Sequence, residues 1–163
     1  MADSIKDIDL IEASSDLKTV IGIIAEVGIR LSKIISLGDL HEATDLKLSS
    51  NSDGDQQKSL DLIADSEYFK ALKSSPVAGY VSEEKEDLIV LNETGSLLLA
   101  IDPLDGSSNI ETNLSIGSIF SIREYRIGKK EKNINEQFLS PGSKQVAAGY
   151  IIFGPQTILV ITT

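Results

Sequence analysis

A chain of 163 residues, 41% apolar and 25% charged, has the size and composition of one folded domain with a sizeable core. Its formal net charge of −10 argues against a nucleic-acid or anionic-membrane partner, since both require cationic surface to displace counterions. The absence of cysteine excludes a disulfide framework, a thiol nucleophile and a zinc knuckle; no signal-peptide pattern or membrane-length apolar run is present, so the expected address is the cytoplasm.

Taken in order, residues 3–13 suggest a short helix. From Ser14 or Ser15, either suited to an N-cap, Val20, Ile23, Ile24, Val27, Leu31, Ile34 and Ile35 recur at helical spacing until Gly38. Gly22 and Gly28 interrupt this pattern at a cost of about 1 kcal/mol each relative to alanine, so close packing against a neighbour is expected at both. His41, the only histidine, has no partner set and is read as a surface or capping residue. Residues 49–55 form a polar, turn-rich loop, and a second helix is expected over 56–73 with Leu60, Ile63, Ala64, Tyr68, Ala71 and Leu72 on one face. Asp61 and Asp65 fall one turn apart on it and, seen alone, are ordinary solvated helix acids.

Strands are expected over 77–81, 88–91 and 97–101, and the alternating 114–122 reads as a half-buried strand. A charged loop over 128–135 and a turn at Ser140-Pro141-Gly142 follow. Strands over 147–153 and 157–163 then flank Gly154-Pro155-Gln156 as a hairpin. The pattern breaks off on an apolar strand, and the expectation is that further chain completes the fold. Neither a glycine-rich dinucleotide fingerprint nor a phosphate-binding loop of the GxxxxGK[ST] type occurs.

The chemistry concentrates at strand ends. The first strand runs into Ser82-Glu83-Glu84, a pair that alone would pass for a surface turn, and the third into Asp102-Pro103-Leu104-Asp105-Gly106-Ser107-Ser108-Asn109. There the Pro-Leu-Asp-Gly segment is read as a turn presenting two carboxylates. Gly106, Ser107 and Ser108 add a flexible backbone and two hydroxyls at the start of a helical turn, where free N–H groups favour phosphate. If Glu83, Glu84, Asp102 and Asp105 converge, their oxygens select magnesium or manganese over zinc, and the arrangement suits in-line hydrolysis of a phosphomonoester.

Asp102 to Ile110, with Val81-Ser82-Glu83-Glu84 upstream and Val146-Ala147-Ala148-Gly149-Tyr150 downstream, resembles class I fructose-1,6-bisphosphatase. Residues 51–61 are similar to that family's mobile loop and the helix after it. The Asp-Pro-x-Asp-Gly motif with an upstream Glu-Glu belongs to the wider magnesium-dependent, lithium-sensitive phosphatases, and the Ser-Ser-Asn-Ile continuation to the sugar-bisphosphatase branch. The resemblance implies an α+β fold, helices packed on a mixed β-sheet in a layered sugar-phosphatase architecture. It implies Glu83, Glu84, Asp102, Asp105 and the Leu104 carbonyl as metal ligands, with magnesium or manganese as cofactor. It further implies Asp61 and Glu84 as the acids that take the proton from the attacking water, Asp55 on the mobile loop, and Gly106, Ser107 and Ser108 as the phosphate cradle. The implied substrate is a sugar bisphosphate, fructose 1,6-bisphosphate yielding fructose 6-phosphate and phosphate in gluconeogenesis, and the implied assembly a homotetramer. Sedoheptulose-bisphosphatase or inositol-phosphate phosphatase activity is the neighbouring alternative, and a non-catalytic metal-binding or pairing fragment the more distant one.

Members of this family are about twice as long as this chain, so the resemblance carries the expectation that residues 1–163 correspond to an N-terminal half, with the substrate-binding half absent. Many members are also inhibited by AMP. At the matching positions stand Ser96, Leu97 and Glu124, where sensitive members carry basic or aromatic residues, and an acid repels the nucleotide phosphate. Weak or absent AMP inhibition is therefore expected of the intact enzyme, and micromolar inhibition in an AMP titration would contradict it.

Overall fold

The computed structural model describes residues 13–37, 53–126 and 133–163, the side chains of 53–59 excepted. The short helix expected over 3–13, Ala13 apart, lies outside the described residues, as do Gly38, His41 and the start of the 49–55 loop.

Helix α1 spans Ser15–Leu37. Ser14 caps it, its Oγ accepting the Leu17 N–H at 3.2 Å, and Asp16 in the first turn suits the helix dipole. The predicted stripe is the buried one: Leu17, Val20, Ile21, Ile24, Val27 and Leu31 enter the core. Helix α2 spans Asp53–Leu72, starting earlier than its apolar periodicity suggests. Asp55 therefore falls in the first helical turn rather than in a loop, a correction consistent with the preference for acids at helix starts. Ala64, Tyr68 and Leu72 are fully buried.

The strands are β1 (Val77–Ser82), β2 (Ile89–Val90), β3 (Leu97–Asp105), β4 (Ile116–Glu124), β5 (Gln145–Phe153) and β6 (Thr157–Thr162). They form one six-stranded sheet in the order β2-β1-β3-β4-β5-β6. Among the described residues only β1 and β3 pair in parallel, and every other neighbour is antiparallel. The fold is thus α+β on a mixed sheet. β5 and β6 form the expected hairpin, and a short helix α3 (Ile134–Phe138), capped by Asn133, begins inside the segment expected to be a loop.

Helices α1 and α2 cover one face of the sheet, packing on Leu99, Ile101, Phe120, Ile122, Ala147 and Ile151. Each of the Leu, Ile and Phe side chains contributes about 1.5–3 kcal/mol by leaving water. On the opposite face α3 reaches β1, where Ile134, Phe138 and Leu98 crowd around Gly79. The rest of that face is apolar and exposed, with Ile119, Tyr150, Ile152, Ile158 and Val160 open to solvent.

The Pro-Leu-Asp segment is not a turn. β3 continues to Asp105, and its register against β4 shifts between Asp102, opposite Ile119, and Asp105, opposite Gly117. One extra residue on β3 makes a β-bulge, a place where a proline that lacks an N–H is tolerated. The turn begins only at Gly106, whose φ of 76° favours glycine. Among the described residues no helix is long and apolar enough to cross a membrane.

The glycine expectation holds at one position and fails at the other. A Cβ at Gly28 would lie 2.5 Å from Ile151 Cδ1, whereas a Cβ at Gly22 would meet nothing within 4 Å. Gly22→Ala should therefore raise stability by about 0.5–1 kcal/mol through helix propensity and a less flexible unfolded chain. Gly117→Ala, whose Cβ would stand 2.3 Å from the Ile151 carbonyl oxygen, should lower it by about 1–3 kcal/mol. Urea denaturation midpoints shifting in opposite directions are the expected result.

Candidate active site

Parallel pairing of β1 with β3 sends both strands out of the same edge of the sheet. Ser82 stands opposite Ile101, and the Glu83 N–H donates to the Ile101 carbonyl at 3.0 Å, extending the ladder by one residue. Glu83 and Glu84 thus emerge beside Asp102. A tight turn follows, in which the Ser82 Oγ accepts the Glu84 N–H at 3.3 Å and the Ser82 carbonyl accepts the Lys85 N–H at 3.1 Å.

On β3 the Asp102 carboxylate accepts the Leu104 N–H at 3.1 Å, which holds it across the bulge. The Leu104 side chain is buried, so only its backbone is available to a ligand, while Asp105 is exposed. Gly106 then turns the chain into a 3₁₀ turn, Ser107–Asn109. Ser107 is half-buried and Ser108 exposed.

Asp61 reaches this edge from α2. Its Oδ1 is buried and accepts no hydrogen bond. Burial pushes its carboxyl above the usual range; a hydrogen bond from Ser107 opposes the rise, and the charges of Asp102 and Glu83 add to it. Asp102 is raised first by burial, with the Leu104 N–H opposing and the charges of Asp105 and Glu83 adding. Glu84 is pushed up to about 7, again first by burial, then by the charge of Asp61, a hydrogen bond with Glu83, and the charges of Glu83 and Asp65. The acids at 61, 83, 84, 102 and 105 therefore form one electrostatic cluster with Ser107. Among the described residues, however, no group of three or more acids or histidines stands at metal-ligating geometry. Mutual repulsion keeps uncompensated carboxylates apart.

Asp55 lies at the far amino-terminal end of α2, with its side chain outside the described part. At the positions matched to AMP binding, Ser96 hydrogen-bonds to Asp16 of α1, and Glu124 pairs with Arg126 at 2.9 Å.

Sequence reading misjudged Asp65. It is not solvated but only 3% exposed, and it binds the Tyr80 hydroxyl and the Lys85 ammonium. Its spacing of four residues from Asp61 was the available signal, but nothing in the pattern separated a buried acid from an exposed one. Ser118, the buried polar residue of β4, was likewise unmarked within an alternating strand.

The family model for the fructose-1,6-bisphosphatase N-terminal domain matches residues 5–163. A class 1 fructose-1,6-bisphosphatase from a Bradyrhizobium species is 46% identical over 150 residues, covering 92% of this chain and 43% of the relative. One from Cereibacter sphaeroides is 46% identical over 160 residues, covering 98% of this chain and 46% of the relative. The crystal structure of Leishmania major fructose-1,6-bisphosphatase in holo form superposes with a TM-score of 0.75 at 28% identity, over 93% of this chain and 47% of that one. The chain spans a little under half the length of these relatives. On the match to the family model and on these identities, the chain belongs to the fructose-1,6-bisphosphatase family.

Proposed function

We propose that this chain carries the acids and phosphate cradle of an enzyme that removes the 1-phosphate of fructose 1,6-bisphosphate, giving fructose 6-phosphate and phosphate. The observation that carries the reading is the gathering of Asp61, Glu83, Glu84, Asp102 and Asp105 around Ser107 at one sheet edge, in a chain whose relatives are named fructose-1,6-bisphosphatases.

The residues fit a divalent cation. All the donors are hard oxygens, one oxygen of Asp61 is buried without a partner, and burial first, with neighbouring acids adding, raises the carboxyls of Asp61, Glu84 and Asp102. Glu83, Glu84, Asp102, Asp105 and the Leu104 carbonyl would hold magnesium or manganese. When bound, such a cation withdraws charge from the phosphoryl group and acidifies the attacking water.

The remaining work belongs to the protein. Asp61 and Glu84 accept the proton of the attacking water; in the cation-free site, burial pushes the Glu84 carboxyl up to about 7. The backbone N–H groups and hydroxyls of Gly106, Ser107 and Ser108 cradle the departing phosphate. Asp55, in the same helix as Asp61, is the further acid that the family resemblance assigns to the reaction.

We place the grip on the sugar in a second half that packs on the uncovered sheet face. An open groove of about 630 Å³ runs along that face, lined by Ala100, Ile119, Tyr150 and Val160 and reaching Glu83 and Asp102. Apolar walls of this extent suit burial under further chain. The gluconeogenic setting, cytoplasmic address and homotetramer are supported by the resemblance alone.

Phosphate release tests the reading. The 163-residue chain alone should turn over fructose 1,6-bisphosphate poorly with magnesium, and full activity would overturn the assignment of sugar binding to a second half. In a chain extended by that half, Asp61→Asn should lower kcat by about 10²–10⁴-fold. Unchanged kcat would remove Asp61 from proton transfer.

The raised acids also set a pH dependence. Because folded Glu84 holds its proton up to about 7 against an ordinary value of 4.5, the folded state binds more protons than the unfolded state in that window. Without divalent cation, stability should fall as pH rises from 4.5 to about 7, and saturating magnesium or manganese should oppose the fall. Denaturation midpoints across that range, with and without the cation, measure both effects.

A further inference from the structure

We propose that Asp65 and Tyr68, the hydrogen-bonding residues that follow Asp61 along α2, are positioning residues that fix where the acids of the two strand ends stand. The inference rests on reading those acids as a metal and phosphate site. It adds two residues to which no role in that site has been given.

Asp61, Asp65 and Tyr68 are spaced four and then three residues apart, which places them on one face of the helix. Each engages a different part of the candidate site. Asp61 stands among the acids themselves. Asp65 accepts the Tyr80 hydroxyl at 2.9 Å with Oδ1, and its Oδ2 pairs with Lys85 Nζ at 2.6 Å. Tyr80 lies within β1, and Lys85 directly follows Glu84, so this one buried carboxylate is tied to both sides of the Glu83–Glu84 turn. Phe69 closes the cluster, its ring 6.1 Å from that of Tyr80 and its centroid 5.6 Å from Lys85 Nζ.

Tyr68 acts on the other strand. Its hydroxyl donates to Ser118 Oγ at 2.9 Å, and Ser118 donates onward to the Pro103 carbonyl at 2.8 Å. Ser118 has a single hydroxyl proton, so donation to Pro103 obliges Tyr68 to be its donor, and the direction of the relay is fixed. Burial pushes the Tyr68 phenol up to about 12, which keeps that proton in place at neutral pH. Pro103 lies within the β3 bulge, between Asp102 and Asp105.

Chains of this kind hold their geometry because breaking them is costly. The Asp65 side chain is almost wholly buried, and removing Lys85 would leave its charge there with only the Tyr80 hydroxyl. Removing a group that orients a metal ligand typically weakens metal binding about 10–100-fold. The acids repel one another, so without such tethers the turn and the bulge would relax apart.

The test uses the 163-residue chain with two readouts, Mn²⁺ affinity and amide hydrogen exchange. Lys85→Met should weaken Mn²⁺ binding about 10-fold or more. It should also speed exchange at Glu83 and Lys85 while leaving β4 and β5 amides unchanged, and Lys85→Arg should restore both properties. Tyr68→Phe keeps the ring but breaks the relay, and it should speed exchange of the Leu104 amide about 5-fold, the worth of one hydrogen bond.

Unchanged local exchange, or exchange accelerated equally throughout the sheet, would overturn the proposal. So would unaltered Mn²⁺ affinity in variants of a chain that binds Mn²⁺. If the parent chain binds no Mn²⁺, the metal-site reading fails, and the local exchange pattern still decides whether these residues position the turn and the bulge. Tyr80→Phe replaces Lys85→Met in the same comparison if the latter does not fold, with faster exchange at Glu83 and Lys85 expected and an unchanged pattern counting against the proposal.

Discussion

The parallel pairing of β1 with β3 is the constraint on which the rest of the candidate site depends. Every other pair in the sheet is antiparallel, the arrangement that short connections favour, so this parallel pair stands out. Its consequence is positional. Glu83 and Glu84 leave the sheet beside Asp102, whereas an antiparallel β1 would have carried its acids to the opposite edge, about 20 Å away for a strand of this length. Ligands gather at the carboxyl ends of strands in open sheets for the same geometric reason. Here the strand ends supply charge as well as room.

Bringing five carboxylates to one edge costs energy, and the fold shows where that cost is met. Burial, more than any single neighbour, raises Asp61, Glu84 and Asp102. Desolvation adds to their mutual repulsion, so the acids are held by the core that α1, α2 and the sheet build beneath them. One helix carries the structural and the chemical burden together: α2 places Ala64, Tyr68 and Leu72 in the core while Asp61 meets the strand ends. Because stability margins are only about 5–15 kcal/mol, a helix that both packs and presents charge cannot shift without disturbing both.

The elements were largely legible because their signals are periodic. The apolar stripe of α1, the alternation of β4 and the hairpin at Gly154-Pro155-Gln156 each follow from side-chain spacing. Boundaries were less so. The helical start of α2 lies within residues whose composition suggests a turn, and Pro103 argues for a turn wherever the partner strand is unknown. A bulge depends on β4 being displaced by one residue, and no local pattern on β3 encodes that. The identities of the acids could be read from motif resemblance, but their convergence required the parallel pairing. Asp65 and Ser118 were invisible as site neighbours because burial of a polar residue depends on what packs over it. In sequence, Asp65 is indistinguishable from a solvated helix acid.

The sheet's two faces then divide the chemistry. On the helix side, the interior is closed, and Asp65, Tyr68 and Ser118 are paired in chains that end at Pro103 and at the Glu83–Glu84 turn. On the other side, Ile119, Tyr150 and Val160 stand open, and the groove they line leads to Glu83 and Asp102. A carboxylate cluster at the junction of a rigid face and an open one can be fixed from beneath and approached from above. That is the arrangement a hydrolytic site needs, because proton acceptors must be held to within fractions of an ångström while the substrate must still enter. In the proposed reaction, residues of this chain hold the proton acceptors from the helix side, beside an apolar sheet face that stands open.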